Sequence, residues 1–279
     1  MNTKTLTLTK EQIETLRKQL SVYDVSSVPY GYYRYKLNPG SITAYHSLKV
    51  VFQGEQALNY ASQFESEFID SAGSDEVGTG DYFGPVVVCA ALVSEKDINL
   101  LKELTIMDSK GLTDDQIIKI APKLMKQLTY SVLVLDNVTY NRIHKTMNLN
   151  AIKANLHQKA YDHLKRKAGY LPELCVVDQF MDPKRYYEVL LDDYDIRHLT
   201  FTTKAENKYP AVACASIIAR YTFLQALDQL SSHIGFELPK GAGAIVDTKA
   251  KALLMKSPDV DFNEIAKLHF KNTQRIFNQ

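Results

Sequence analysis

The chain has 279 residues and carries 33 Lys and Arg against 32 Asp and Glu, a formal charge of +1. A balance this close to zero excludes a polybasic protein that grips nucleic acid by bulk charge, and equally an acidic solvating tail. The length lies where one hydrophobic core stops growing, so two domains are expected. The 45% hydrophobic and 23% charged fractions are those of an ordinary folded protein.

Met1 to Thr9 alternate small polar and apolar residues without an apolar core, so no targeting segment is expected. Thr9-Lys10-Glu11-Gln12 has the form of a capping box with Thr9 as N-cap, and Ile13, Leu16 and Leu20 give one apolar helical stripe. Three strand-like runs follow, Tyr30–Leu37, Ser41–His46 and Leu48–Phe52, and a second helix at about Gln56–Phe64 closes a small α+β domain over residues 1–66. In the first strand Tyr32, Arg34 and Lys36 share one face, and Tyr33, Tyr35 and Leu37 share the other. Residues 1–66 hold seven Lys and Arg against five acids, and six of the 17 tyrosines fall between Tyr23 and Tyr45. Two readings stand side by side: a half-buried sheet with a solvated face, or a sheet that lies on a phosphate backbone.

A second domain is expected over 67–279. Gly73–Val77 and Phe83–Val93 read as strands joined by the turn Gly78-Thr79-Gly80-Asp81. The longest uncharged apolar stretch, Tyr82 to Ser94, is about 13 residues, short of the roughly 18 that suggest a membrane span. Further strands are expected at Tyr130–Leu135, Leu174–Asp178 and Ile196–Phe201. Helical patterns lie at Asp114–Leu128, Leu149–Ala168, Pro183–Leu191 and from Pro210 to about Leu230. A hairpin followed by strands alternating with helices implies an α/β fold with a mixed sheet. Cys89, Cys175 and Cys214 stand singly in apolar runs without C-x-x-C spacing, which predicts buried free thiols and a reducing cytoplasm.

Four carboxylates break the apolar pattern. Asp75 and Glu76 sit inside an apolar strand, where adjacent like charges are costly unless they bind something. Successive side chains face opposite sides of a sheet. Both acids therefore reach one site only if the strand kinks, or if Glu76 contributes its backbone carbonyl. The alternative is a turn that begins early, with both acids in water. Asp178 ends the strand run Cys175-Val176-Val177, either at a ligand site or as a cap before Pro183. Glu206 precedes Pro210 and would otherwise cap the helix there. Together the four suggest a hard-cation site for Mg²⁺ or Mn²⁺, and no His/Cys cluster proposes zinc. Two such ions about 4 Å apart clamp the attacking and leaving oxygens of a phosphoryl displacement. The glycine turn has the wrong spacing for a dinucleotide fingerprint and lacks the Gly-Lys-Ser/Thr of a P-loop, so no organic cofactor is expected.

The run Gly73-Ser74-Asp75-Glu76-Val77-Gly78-Thr79-Gly80-Asp81-Tyr82-Phe83-Gly84-Pro85 resembles the opening motif of type 2 ribonucleases H, in the ribonuclease HIII pattern. Asp108-Ser109-Lys110 is similar to that family's D-S-K element, and Val176-Val177-Asp178-Gln179-Phe180 to its third-carboxylate strand. Lys204-Ala205-Glu206 with Ala213 to Tyr221 is similar to its fourth-carboxylate and helix segment. Thr79, where the HII pattern has Arg, and Glu206, where it has Asp, follow the HIII pattern.

The resemblance implies a ribonuclease H-like mixed sheet with helices on both faces, preceded by a small α+β domain resembling half of a TATA-box-binding fold. It implies a metal-dependent endonuclease that hydrolyses the RNA strand of RNA/DNA hybrids, leaving 5′-phosphate and 3′-hydroxyl ends, in the setting of DNA replication and repair. The implied carboxylate set is Asp75, Glu76, Asp178 and Glu206. The backbone of Gly78, Thr79 and Gly80 is the candidate reader of the 2′-hydroxyl. Lys110, Lys204 and Ser216 are candidate phosphate or backbone contacts, and Arg34, Lys36 and Lys49 candidate grips on the substrate. A monomer with no membrane attachment is expected. The competing readings are a ribonuclease HII-type enzyme acting at single ribonucleotides, and a hybrid-binding protein without catalysis.

Overall fold

The computed structural model describes residues 2–64, 68–106, 111–192 and 194–277. The chain divides into two compact units, Met1–Phe68 and Ile69–Gln279.

The first unit runs β1 (Thr3–Thr7), α1 (Lys10–Gln19), β2 (Val25–Ser26), β3 (Gly31–Leu37), β4 (Gly40–Tyr45), β5 (Lys49–Gln53), α2 (Glu55–Ser62). The capping box starts α1: the Thr9 hydroxyl accepts from the Gln12 N–H, and Gln12 Oε1 accepts from the Thr9 N–H at 2.8 Å. The strands form an antiparallel sheet in the order β1-β5-β4-β3-β2. The alternation of β3 holds. Tyr33, Tyr35 and Leu37 are buried in a core with Ile13 and Leu16 of α1 and Ala57 and Ala61 of α2. Tyr32, Arg34 and Lys36 are exposed. Arg34 pairs with Thr43, and Thr43 with Val51, so Lys49, two residues before Val51, shares the Arg34 face. The helices thus cover one face of the sheet, and three cations stand on the other. β1 was not anticipated, although the Thr3–Thr7 alternation that argues against a targeting segment is itself a strand signature. β2 is two residues long, too short to leave a pattern.

The second unit runs β6 (Ser71–Val77), β7 (Val86–Val93), α3 (Ile98–Glu103), α4 (Asp114–Gln127), β8 (Thr129–Leu135), α5 (Asn137–His144), α6 (Leu149–Ala168), β9 (Leu174–Asp178), α7 (Pro183–Glu188), β10 (Leu199–Thr202), α8 (Pro210–Ile234), α9 (Ala244–Lys256), α10 (Phe262–Ile265), α11 (Lys271–Phe277). Its sheet has the order β10-β9-β6-β7-β8. β9 lies parallel to β6 and β10, and β7 antiparallel to β6 and β8, which is the expected mixed sheet. All eight residues of β7 are buried, as a strand covered on both faces requires.

Two adjacent residues of β6 show which helix covers which face. A Cβ added at Gly73 would lie 2.3 Å from the Val212 nitrogen, so the backbone of α8 packs directly on this strand. The Ser74 hydroxyl is bonded to His157 of α6 at 2.7 Å. α8 therefore lies on the Gly73 face and α6 on the Ser74 face. By length and composition α8 would also suit a membrane, but over half of its most apolar window is buried inside the unit. Small residues (Ala211, Ala213, Cys214, Ala215) let it approach the sheet.

Candidate active site

The face assignment decides the geometry of the carboxylates. Asp75 follows Ser74 and turns toward α8, where the nearby Ser216 hydroxyl favours its charged form. Its Oδ1 also accepts the Glu76 N–H at 2.8 Å. Glu76 turns the other way, toward α6. Its Oε1 pairs with Lys153, and its Oε2 lies 2.8 Å from His157 Nε2. His157 is fully buried and bonds Ser74 through its other nitrogen, so four side chains form one connected network. Burial opposes the Glu76 charge, but His157 and Lys153 outweigh it and hold this carboxyl below its ordinary range. The two neighbouring acids therefore lie on opposite faces of the sheet, and only Asp75 points its carboxylate toward α8.

Asp178 joins Asp75 through the parallel pairing of β9 with β6. Ser74 pairs with Val177, and each acid is the next residue along its strand. Asp178 Oδ1 accepts the Ala205 N–H at 2.9 Å. That contact is made possible by Lys204, which takes a left-handed conformation (φ 53°) at the end of β10 and starts the 3₁₀ turn Ala205–Asn207. The same turn carries Glu206, which is exposed and accepts from the Asn207 amide at 2.7 Å. Burial first, then the charges of Glu76 and Asp178, push the Asp75 carboxyl up to about 7. A carboxylate crowded in this way is stabilised by a nearby cation. Among the described residues, no three Asp, Glu, His or Cys side chains stand close enough to enclose an ion as they lie.

The glycine turn closes the site. Gly78 has φ +93°, and a Cβ there would lie 2.2 Å from the Pro85 carbonyl oxygen, so no other residue fits. Gly80 has open space where its Cβ would be, which leaves its backbone approachable. Gly78, Thr79 and Gly80 line a cavity of about 560 Å³ with Glu76, Glu206 and Ser216. Of the expected phosphate contacts, Ser216 lines the cavity beside Asp75, and Lys204 is exposed on its turn. Lys110 lies outside the described residues. Arg34, Lys36 and Lys49 belong to the first unit.

Two features had not been singled out as functional. Arg220 of α8 lines the cavity and forks onto Asp114 at the start of α4, at 2.9 and 3.1 Å, while Lys240 takes the same carboxylate at 2.5 Å. The Arg220 hydrogen bond, with Lys240 assisting, holds Asp114 down to about 2. The second is Lys267, fully buried, whose ammonium donates to the carbonyls of Asp81 and Gly84. No local pattern marks a lysine whose partners lie some 180 residues earlier.

Burial pushes Lys267 down to about 7 against its ordinary 10.5, with Asp81 working in the opposite sense. Between these values the unfolded chain holds a proton that the folded chain has lost, so stability should rise with pH across this window. Below about 7 and above 10.5 this group should contribute no slope. The ionisable groups near it, Asp81 and His269, are common to wild type and K267M. Chemical unfolding of both proteins from pH 6 to 10.5 should therefore show an excess upward slope in wild type alone; parallel profiles would contradict the burial argument.

Known proteins match this geometry along the whole chain. Residues 72–273 match the family model of ribonuclease HII, and residues 4–76 match one described as a domain of unknown function. The ribonuclease HIII of Bacillus pumilus is 41% identical, covering 97% of this chain and 97% of its own. That of Bacillus subtilis is 42% identical over 94% and 93%. A solved structure of Bst-RNase HIII in complex with Mn²⁺ is similar at a TM-score of 0.72 and 36% identity, covering 99% of this chain and 98% of that one. The ribonuclease H2 of Pyrococcus horikoshii is similar at a TM-score of 0.61 and 27% identity, over 75% of this chain and 97% of its own. With its motif residues, mixed sheet and near full-length likeness together, the chain belongs to the ribonuclease HII family, among the ribonucleases HIII.

Proposed function

We propose that this protein is an endonuclease that hydrolyses the RNA strand of RNA/DNA hybrids with Mg²⁺ or Mn²⁺, leaving 5′-phosphate and 3′-hydroxyl ends. The observation that carries the reading is the pair Asp75 and Asp178 on adjacent parallel strands, beside a cavity edged by the glycine turn and Glu206. The donor set is all oxygen, as a hard divalent cation requires, and the crowded Asp75 is relieved by one. Asp75, Asp178 and Glu206 would hold it by their side chains, and Glu76 by its main-chain carbonyl. When bound, such a cation neutralises phosphate charge and lowers the pKa of the attacking water.

The chain's own groups supply the positioning. The Glu76 N–H fixes the Asp75 carboxylate, with Ser216 beside it, and the Ala205 N–H fixes that of Asp178. The peptide groups of Gly78–Gly80 meet the 2′-hydroxyl, the group that separates RNA from DNA. Arg220 and Lys204 face the phosphates. We read the chain as a cytoplasmic monomer; three buried free thiols support a reducing compartment, and sedimentation tests the oligomeric state.

The test is product analysis on two labelled substrates, a long RNA/DNA hybrid and a DNA duplex holding one ribonucleotide. Efficient cutting of the hybrid with poor cutting of the duplex is expected. The reverse preference would assign the chain to HII-type chemistry.

In this reading the first unit supplies affinity through the open face of its sheet. Changing Arg34, Lys36 and Lys49 together to Ala should raise KM with kcat little changed. It should also flatten the dependence of log Kd on log salt by roughly two to three, since each lost phosphate contact removes about 0.9. An unchanged salt slope would move substrate binding off this face.

A further inference from the structure

The turn Gly78–Asp81 is confined at both ends, and at its exit by contacts that come from far along the chain. At its entry, Gly78 packs against the Pro85 carbonyl too closely for any Cβ. At its exit, residues 81–84 are laced to two distant segments. The Tyr82 N–H donates to the Gly241 carbonyl at 2.8 Å, and the Gly241 N–H donates to Asp81 Oδ1 at 2.6 Å. The Gly84 N–H donates to the Ile265 carbonyl at 2.9 Å, Phe83 bridges Ala266, and the Lys267 N–H donates to the Tyr82 carbonyl at 2.8 Å.

This lacing leaves the carbonyls of Asp81 and Gly84 for the Lys267 side chain, which donates to both, to Asp81 at 2.9 Å. A lysine at 0% exposure is costly to bury. An apolar residue of the same length would avoid that cost but leave both carbonyls without this donor. Its partners are main-chain oxygens and not a carboxylate, so it acts as a clamp on the backbone. Between the two fixed ends, Thr79 and Gly80 border the cavity, and a Cβ added at Gly80 would meet nothing within 4 Å.

We propose that Lys267 is a positioning residue of the reaction: its buried amine fixes the Asp81 end of the glycine turn and so sets the distance at which Gly78–Gly80 read the substrate ribose. The proposal rests on the reading of the chain as a hybrid-cleaving enzyme. Loss of the clamp should loosen ribose selection, while phosphate contacts made elsewhere keep KM close to wild type.

The test compares single-turnover rates on an RNA/DNA hybrid and on the same hybrid with 2′-fluoro sugars. The ratio of the two rates is unaffected by the fraction of protein folded. K267M is expected to lower this ratio at least tenfold with KM changed less than threefold. K267R, which keeps donors at the same place, should recover part of it. A folded K267M with the wild-type ratio overturns the proposal. If K267M does not fold, K267R is judged by the same ratio, and failure of both to fold assigns Lys267 to stability alone and also overturns it. Wild-type protein that leaves the hybrid intact would instead sink the reading of the chain as a hybrid-cleaving enzyme, whatever the variants do.

Discussion

Asp178→Asn should leave a folded protein that cleaves RNA/DNA hybrid about a thousandfold more slowly than wild type. The substitution keeps the shape of the side chain and its acceptor for the Ala205 N–H, so the turn that carries Glu206 stays in place. What it removes is one negative charge at the end of β9, next to Asp75. A cation held there contributes several kcal/mol of transition-state charge stabilisation, and a loss of roughly 4 kcal/mol corresponds to about three orders of magnitude in rate. The loss should fall on kcat, since the surfaces proposed to bind substrate, the first unit and the glycine turn, are unchanged. Asp75 should also regain a lower pKa, because one of its two charged neighbours is gone. Circular dichroism and kcat measured on one preparation check both halves. A variant that cuts at near wild-type rate would remove Asp178 from the site.

Lys153→Met should produce the largest loss of stability among the substitutions considered, with a fall in Tm of roughly 10 °C. Lys153 and Glu76 are 9% and 11% exposed in their side chains, and each is the other's nearest countercharge. Removing one member of a buried pair leaves the other uncompensated, which typically costs about 3–5 kcal/mol. Here His157 remains on the second Glu76 oxygen, and Lys153 also loses its place over the Phe180 ring, 3.9 Å from its centroid. The double variant K153M/E76Q should recover a good part of the loss, because the carboxamide carries no charge to strand. Thermal unfolding of the two single variants and the double one gives the coupling. If K153M and K153M/E76Q melt together, the pair is not what secures the α6 face of β6.

These two positions also mark how far the sequence carried the site. Asp75 was legible as an acid inside a strand and Asp178 as one at the end of an apolar run, local anomalies that need no partner to be seen. The opposite facing of Glu76 was legible as a constraint of strand periodicity. Its destination was not, since the side chains that receive it, Lys153 and His157, lie about 80 residues on, within a helix whose pattern shows only that it is partly buried. Arg220 lay inside a segment already matched to the family, yet its tie to Asp114 spans 106 residues. Lys267 is the extreme case, a fully buried lysine whose partners lie some 180 residues earlier.

The fold shows the same division. A capping box placed the start of α1 and the helical pattern from Asp114 that of α4, and Leu149–Ala168 and Leu174–Asp178 have the expected bounds, because these elements carry their own periodicity and punctuation. In the second unit the elements without an expectation are α3, α5 and those after Lys240. The helix α9 mixes Lys, Ala and Leu with little apolar bias to one side, and α10 is a single turn. Such pieces are fixed by what they pack against and not by their own pattern.

The measurement closest to the central claim is a metal titration of hybrid cleavage by the intact chain. No product is expected in EDTA. Adding Mg²⁺ or Mn²⁺ should restore cutting of the RNA strand alone, with 5′-phosphate and 3′-hydroxyl termini. Cleavage that persists in EDTA, or products ending in 2′,3′-cyclic phosphate, would contradict a site built on Asp75, Asp178 and Glu206.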